Sequence, residues 1–336
     1  MRRPKSPIVF MILALLTVVA LIVGVVVGTS DLPLDVVLRG LAGEGDPVLV
    51  AVVRAVRFPR AILALEVGAA LAVAGVLMQA LFRNVLAAPD LLGSSAGAST
   101  GAILAITTGL AARSSAYLPL LAALGAGLAL AVVVRLARGA GRLDATTLLL
   151  GGVAMTAFLG ALNSALLAEA LDEWEVSRAI TLWMLGGLTD RGWVHVWLLT
   201  PGLVLGVAVA LWHRRDLDLL SEADDVAASL GVDVATVRTR LLAAAAILTG
   251  SAVAVSGLIG FVGLVVPHAL RLVLGPAHPR LVPASALLGG AFLALMDVVA
   301  RVLVRPSELQ LGVVTAFVGA PVFAWLLLRQ RVAVAG

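Results

Sequence analysis

Ser221-Glu-Ala-Asp-Asp-Val-Ala-Ala-Ser-Leu-Gly231 is a polar, helix-prone stretch in a chain of 336 residues that is otherwise mostly apolar. Long apolar segments precede and follow it, and each is long enough to cross a bilayer. The stretch is therefore predicted to lie outside the hydrocarbon. A short amphipathic helix held between two membrane spans is a surface on which a soluble partner can act.

The composition around that stretch defines the class of protein. Hydrophobic residues make up 61% of the chain and charged residues 13%, whereas soluble domains carry about 25% charged residues. We therefore predict an all-α polytopic membrane protein, with residues 1–336 forming a single transmembrane domain. Cysteine is absent, which excludes disulfides and thiolate chemistry. The few histidines lie far apart in sequence, so no metal site is predicted.

About ten apolar segments have the length of a membrane span, which needs roughly 20 residues. Another segment, 179–190, is apolar but too short to cross and is expected at the outer interface. The eighth predicted span contains Pro267, so a short or broken helix is expected there. The predicted spans cover residues 8–28, 60–82, 92–110, 117–136, 146–167, 193–212, 239–256, 258–274, 281–303 and 310–328.

The distribution of basic residues predicts the orientation. An even number of spans puts both termini on one side of the membrane. With both termini in the cytoplasm, most of the 24 Lys and Arg residues fall on the inside, as the positive-inside rule requires. Three arginines within residues 54–60 oppose this bias.

Two sequence patterns concern helix packing. Leu71–Leu77 resembles Val253–Ile259, and these segments lie in spans predicted to run in opposite directions. This pattern predicts an inverted internal repeat, which many transporters contain. Glycine recurs every four residues at Gly93, Gly97 and Gly101, which predicts a flat helix face that packs closely on another helix.

Six distinctive blocks are spread over most of the chain: Arg57–Arg60, Gly68–Gly75 followed by Gln79, Arg83–Gly93, Gly257–Arg271, Asp297–Arg301 and Glu308–Phe323. Together they resemble the FecCD/BtuC family of ABC importer permeases. These blocks occur in the order typical of the family. The chain departs from the family pattern at Val85 and Gln310, where proline is usual, and at Ala223, where glycine is usual.

The resemblance implies a BtuC-like, inner-membrane subunit of about ten spans that pairs with an identical or related permease around a central path. It also implies cytoplasmic ATPase subunits that bind ATP-Mg and an extracytoplasmic substrate-binding protein. The only lysine is Lys5, so the chain cannot supply a P-loop. We therefore expect it to bind no cofactor and not to be an enzyme. Family substrates are ferric siderophores, haem and cobalamin, and a ferric siderophore is the expectation here.

Residues 217–231 resemble the coupling helix of this family, which docks in a cleft of the ATPase. Leucine and valine side chains there, including Val226, would supply apolar contacts, and the final glycine suits a helix end. The alternative is an ordinary solvated helix in a loop. The residues expected to couple the permease to the ATPase are Leu219, Leu220, Ser221, Glu222, Ala223, Asp224, Asp225, Leu230 and Gly231.

Arg57, Arg60 and Arg301 lie at the outer ends of predicted spans. In the family, arginines at such positions face acidic residues of the binding protein, so these three are expected to dock it. Contact with lipid phosphate is the alternative for Arg57 and Arg60. For Arg301 the alternative is an ion pair with Asp297, four residues earlier on the same helix face.

Glu66, Gln79 and Asn163 are polar residues inside predicted spans. Such groups usually face the interior of the bundle or an aqueous cavity, which makes them candidates for lining the translocation path. Hydrogen bonding between helices is the alternative. A different class, an ATP-independent secondary transporter, also fits the composition but gives residues 217–231 no role.

Overall fold

The structure is a computed structural model, and it describes residues 6–30, 32–139 and 145–335. Those residues form helices and connecting segments, without a strand. The basic residues at positions 2, 3 and 5, which contribute to the predicted orientation, lie outside the described residues. The helices are α1 Ser6–Val26, α2 Leu34–Ala42, α3 Pro47–Ala51, α4 Phe58–Leu81, α5 Ser94–Thr107, α6 Leu110–Arg113, α7 Tyr117–Gly139, α8 Ala145–Glu169, α9 Trp174–Met184, α10 Trp193–Trp212, α11 Arg214–Glu222, α12 Asp224–Ser229, α13 Val234–Ser256, α14 Val262–Leu274, α15 His278–Val302 and α16 Leu311–Ala335.

Seven helical stretches in the described part of the chain are long and apolar enough to cross a membrane. They are Ser6–Val26, Pro47–Leu81, Tyr117–Ala137, Thr146–Asp172, Trp193–Trp212, Val234–Ser256 and His278–Val302. Each coincides with one of the ten predicted spans. The other three predicted spans fall on α5, α14 and α16, of which α14 and residues 311–325 are shorter apolar helices. The prediction of an all-helical polytopic membrane protein is confirmed.

The helix α14 is short because the chain is irregular over residues 257–261. Gly257 ends α13 with a φ of +69°, and Phe261 has a φ of +69° immediately before α14. A bulky residue rarely adopts positive φ, so local sequence does not favour this conformation. The helix α14 has 13 residues, so the short helix expected here is confirmed, and Pro267 lies inside it without breaking it.

Residues from three parts of the chain meet at this irregular segment. The Gly187 N–H donates to the carbonyl of Ser256 at 2.8 Å, and the Gly312 N–H donates to the carbonyl of Gly186 at 3.2 Å. The loop after α9 therefore ties the end of α13 to the start of α16. α9 has only 11 residues, which agrees with the prediction that this region does not cross the membrane.

The centre of the bundle is α4, which is buried over most of its length and contacts α1, α10, α13, α14 and α15. Gly68 faces the backbone of Gly289 in α15, and Gly75 faces the backbone of Gly263 in α14. A Cβ atom at either glycine would collide with a carbonyl oxygen. Small residues therefore allow these helices to approach closely, as they do in other membrane bundles.

The predicted glycine face packs on α7. Gly97 lies against Gly125 of α7, and Gly101 lies against the backbone of Leu121, so close packing is confirmed at these two positions. The two segments of the short internal repeat differ locally, because Leu71–Leu77 lies inside α4 whereas Val253–Ile259 runs beyond the end of α13. The inverted relation between them stays a prediction.

Candidate functional site

Residues 217–231, called the coupling segment below, contain most of α11 and all of α12. The two helices meet at Ala223, whose φ of −160° and ψ of 152° are those of extended backbone. Any L-residue adopts this conformation without strain. Alanine in place of the usual glycine therefore imposes no distortion on the bend.

The end of the coupling segment is built by Gly231, which has a φ of +86°. The Gly231 N–H donates to the carbonyl of Ala228 at 3.0 Å, and the Val232 N–H donates to the carbonyl of Ala227 at 3.1 Å. These two bonds form a Schellman motif, in which glycine is favoured because of its positive φ. The prediction that Gly231 ends a helix is confirmed.

The side chains of the coupling segment divide into buried and exposed sets. Leu220 is buried in the core, where α11 contacts α4 and α15. It is therefore not available to a partner, and that part of the prediction is corrected. Leu219 is half-buried against the core, and Ser221 and Ala223 are also partly covered. The exposed residues are Glu222, Asp225, Val226, Ala228, Ser229, Leu230 and Gly231.

Asp224 ties the coupling segment to two long helices. Arg238 of α13 donates to both of its carboxylate oxygens, at 2.8 and 2.9 Å, and Arg83, which follows α4, also pairs with it. The Arg83 Nε donates to the carbonyl of Leu220 at 2.8 Å. Partial burial opposes ionisation, but the hydrogen bonds and charges of Arg238 and Arg83 outweigh it and lower the pKa of Asp224. Asp224 is thus ionised and paired with arginines of the same chain, and it is not an unpaired carboxylate available to a docked partner.

Two histidines hold the rest of α11. His213 Nδ1 lies 2.7 Å from a carboxylate oxygen of Asp216. His278, the first residue of α15, contacts Asp218 through Nδ1 at 2.7 Å and donates its backbone N–H to the same carboxylate at 2.8 Å. These contacts fix α11 between the end of α10 and the start of α15.

The opposite end of the bundle contains a buried network of arginines and carboxylates. Arg60 of α4 donates to Asp297 of α15 at 2.9 Å and to both carboxylate oxygens of Glu308, at 3.0 and 2.9 Å. Arg301 pairs with Asp297 at 3.0 Å. Thr189, in the loop after α9, donates to Glu308 at 2.9 Å. The network joins α4, α15 and two outer loops.

Arg301 and two further arginines bind carbonyl groups at and just after the end of α1, where carbonyls lack partners within the helix. Arg301 donates to the carbonyls of Val27 at 2.8 Å and Gly24 at 3.1 Å. Arg57 donates to the carbonyl of Val26 at 2.8 Å, and Arg305 donates to that of Gly28 at 2.7 Å.

Arg57, Arg60 and Arg301 are therefore all buried and bound within the chain. In this conformation none of the three is exposed to a docked binding protein. For Arg301, the structure contains the ion pair with Asp297 that was given as the alternative to a docking role. Lipid contact, the alternative for Arg57 and Arg60, is excluded by the same burial. The docking role itself stays a prediction.

The three candidate path residues all form hydrogen bonds between helices. Glu66 accepts a bond from Thr200 of α10 at 2.9 Å. Gln79 donates to the carbonyl oxygens of Gly263 and Leu264, both at 3.3 Å, and accepts from Arg271. Asn163 accepts from Thr100 of α5 at 2.7 Å. This bonding is the named alternative, and a role in lining a path stays a prediction.

A cleft of about 840 Å³ opens near the arginine network. Its walls carry charges of both signs, including Glu175, Arg178, Asp190 and Glu308. The sequence analysis missed Glu175 and Arg178, although their position beside the non-spanning segment 179–190 could have indicated them. Within the described residues, no group of three or more His, Asp or Glu side chains could hold a metal ion.

The fold and these sites define a class: a multi-pass membrane transport protein with a pair of short helices displayed between two spans. A family model described as the FecCD transport family matches residues 15–329. The chain belongs to this family, and the resemblance noted from the sequence blocks is confirmed.

Three curated relatives are similar along most of their length. The chain is 40% identical over 324 residues to the uncharacterized ABC transporter permease protein YvrB of Bacillus subtilis, covering 93% of this chain and 91% of the relative. It is 40% identical to the cobalamin import system permease protein BtuC of Halobacterium salinarum, with coverages of 84% and 74%. It is 41% identical to the hemin transport system permease protein HmuU of Yersinia pestis, with coverages of 82% and 83%.

A solved structure agrees with the fold. It is described as a metal-chelate type ABC transporter in an inward-facing conformation, and it superposes with a TM-score of 0.86 at 32% identity. The match covers 97% of this chain and 100% of that chain.

Proposed function

We propose that this chain is the membrane-spanning permease subunit of a binding-protein-dependent ABC importer for a ferric siderophore, and that separate ATPase subunits hydrolyse ATP-Mg. The observation that carries the proposal is the coupling segment. Its exposed face combines two carboxylates, Glu222 and Asp225, with two apolar side chains, Val226 and Leu230. An exposed apolar pair rimmed by charges suits a docked protein partner.

The contacts of the coupling segment support force transfer into the bundle. Asp224 joins it to α4 through Arg83 and to α13 through Arg238. The far end of α13 is the irregular segment at residues 257–261, which also contacts the start of α16. Motion of docked ATPase subunits would therefore reach the central helix and the irregular segment together. Alternating access follows if this segment changes conformation.

The remaining partners follow from the family and the relatives. A second permease copy, identical or related, would enclose the path, and a substrate-binding protein would dock at the outer end. Direct contact of that protein with Arg57, Arg60 or Arg301 requires the network to open first. The orientation predicted from the basic residues would put the coupling segment and both termini in the cytoplasm, with this subunit in the inner membrane.

The cleft supports a polar chelate as substrate. Its walls hold Glu175, Arg178 and Asp190, which can bind the charged and hydroxylated groups of a siderophore complex. Haem or cobalamin is the alternative, and the names of two relatives favour it.

The test is assembly with ATPase subunits, comparing the wild type with Val226→Glu/Leu230→Glu. We expect this variant to lose co-purification because it replaces the exposed apolar pair with charge. Leu34→Glu/Leu38→Glu is the matched control, since it makes the same change on exposed leucines of α2 at the opposite end. The control should retain the ATPase.

Uptake into proteoliposomes tests the substrate and the energy source. ATP-dependent uptake of a ferric siderophore, with the binding protein present, supports the proposal. Uptake of haem or cobalamin alone would move the assignment to the alternative substrate. Uptake without ATP or ATPase subunits would instead identify a secondary transporter and overturn the importer assignment.

A further inference from the structure

The helix α10 fixes the depth of the molecule in a bilayer. Its 20 residues run from Trp193 to Trp212, a length of about 30 Å at 1.5 Å per residue, which equals the thickness of the hydrocarbon core. Tryptophan at both ends matches the aromatic belts found at the two membrane interfaces. Trp212 therefore marks the bilayer boundary at the end that carries the coupling segment.

One face of α10 is directed away from the bundle. Trp197, Val204 and Trp212 are 67%, 61% and 83% exposed, and Ala208 between them is also exposed. Their spacing of four to seven residues places them on a single helical face. Arg215 lies three residues after Trp212, in the first turn of α11 and so just beyond the boundary. That depth is occupied by lipid headgroups.

A shallow groove of about 460 Å³ lies at this position and is lined by Ala208, Leu211, Trp212, Arg214 and Arg215. Both arginines are exposed, and within the described residues neither has a hydrogen-bond or ion-pair partner. Asp216 and Asp218, the acids nearest to them in α11, contact His213 and His278 instead. The groove thus combines two arginine side chains with the apolar side chains of Ala208, Leu211 and Trp212.

We propose that this groove binds the phosphate-bearing headgroup of an anionic phospholipid from the adjacent leaflet. The guanidinium groups of Arg214 and Arg215 match the geometry of a phosphate, and their aliphatic stems can lie along the acyl boundary. The indole of Trp212 is amphipathic and suits the same depth. The proposal goes beyond the proposed function and does not depend on the identity of the substrate.

The bound lipid would anchor the start of α11 to the membrane. Arg215 is only two residues before the coupling segment, so the anchor and the segment share one helix. A lipid held there keeps the beginning of α11 at a fixed depth while the coupling segment moves with a partner. Anionic lipid would therefore influence how well the segment is positioned.

The experiment is native mass spectrometry of the purified full chain, offered equal amounts of dioleoylphosphatidylglycerol and dioleoylphosphatidylcholine. Each arginine near an anionic lipid contributes roughly a fivefold preference, so we expect the wild type to retain phosphatidylglycerol at least severalfold better. Arg214→Gln/Arg215→Gln should lose this preference, and Arg214→Lys/Arg215→Lys should keep most of it. Arg240→Gln removes one exposed arginine elsewhere on the same end of the bundle and should behave as the wild type.

Three results would overturn the proposal. The first is equal retention of the two lipids by the wild type, and the second is an unchanged preference in the Arg214→Gln/Arg215→Gln variant. The third is displacement of the lipid by excess inorganic phosphate, which would identify a site for free anions. If the double variant is not monodisperse, Arg215→Gln alone replaces it, and that variant should lose part of the preference.

The same variants separate this proposal from the proposed function. Loss of ATPase co-purification in the double variant, with its lipid preference unchanged, would assign the arginines to a protein contact and exclude the lipid site. Loss of lipid preference with normal ATPase binding supports the lipid site, whatever the outcome for Val226 and Leu230.

Discussion

The two ends of the bundle use arginine and aspartate in opposite ways. At the outer network, Arg57, Arg60 and Arg301 are 5%, 8% and 2% exposed, and each binds several acceptors. At the coupling end, the side chains of Arg83 and Asp224 are 39% and 41% exposed. Breaking a buried pair costs about 3–5 kcal/mol because one charge is stranded, whereas exposed pairs contribute about 0–1 kcal/mol. Opening the first set is therefore costly, whereas the Arg83–Asp224 pair can separate during function at little cost.

Asp297→Ala, in the buried arginine network, is expected to have the largest effect on stability and tests this comparison most directly. Arg301 loses its carboxylate and Arg60 keeps only Glu308, so we expect a loss of about 3–5 kcal/mol in the free energy of unfolding. The thermal unfolding midpoint in detergent measures it. Asp225→Ala, which removes an exposed acid at the other end, is the control and should leave the midpoint nearly unchanged. Equal shifts in the two variants would contradict the contrast between the ends.

Gly231→Ala tests whether the coupling segment depends on its local backbone. An L-residue at positive φ costs roughly 1–2 kcal/mol, which should loosen the end of α12. Faster hydrogen exchange of amides 224–232 is the expected readout. Gly160→Ala in α8, where a Cβ meets open space, is the control and should be neutral or stabilising by up to about 1 kcal/mol. Unchanged exchange in Gly231→Ala would show that partner helices, not the Schellman motif, hold this end.

Arg83→Gln tests whether the exposed pair transmits force rather than stabilises the fold. The free energy of unfolding should fall by less than about 1 kcal/mol, while transport per ATP hydrolysed drops because the link to α4 is lost. A large fall in the thermal unfolding midpoint would instead show that the Arg83–Asp224 pair mainly stabilises the fold.

The lowered pKa of Asp224 sets the pH dependence of the same link. Because the folded-state pKa lies below the ordinary value, the stabilisation is fully present above that ordinary value, about 3.9. It is lost as the pH falls through the lowered folded-state pKa. Asp224 should therefore stay ionised at neutral and mildly acidic pH. Its titration should not alter the hydrogen exchange of the coupling-segment amides in that range. A transition near neutrality that Asp224→Asn abolishes would contradict this assignment.

Ala223→Gly should have the smallest effect. Ala223 is in extended backbone, so glycine relieves no strain and only increases the entropy of the unfolded chain, at a cost of at most about 1 kcal/mol. ATPase co-purification should stay at the wild-type level. A gain in assembly would show that the usual family glycine acts in a bent state different from the one described here.

The sequence predicted the features that depend on local pattern. Apolar windows located the seven long helices, and the polar stretch ending in Gly231 located the coupling segment and its final turn. Pro267 indicated a short α14, but the irregular residues 257–261 before it could not be predicted, because the end of α13 and the start of α16 are bonded to Gly187 and Gly186, which are distant in the chain. Burial of Leu220 likewise depends on how α11 sits against α4 and α15.

The arginines show the same limit for the site. Their positions at helix ends indicated a charged outer surface, but their burial depends on α1, α4 and α15 lying side by side. Arg60 and Asp297 are 237 positions apart. A single sequence gives no signal for a contact between residues so far apart. The pair of Asp297 and Arg301 could be predicted, because one helical turn brings these two residues together.

The arginine bonds to the last carbonyls of α1 have a consequence for biosynthesis. Gly24 and Arg301 are 277 positions apart, so at 5–20 residues per second the ribosome needs roughly 14–55 s to supply this donor. Throughout that interval the first helix inserted into the membrane waits with the Arg301 bonds to its end unmade. During that interval α1 has its contacts with α4 and the bond from Arg57 to Val26 but lacks those with α15, so a chain truncated before α15 should hold its first helix more weakly.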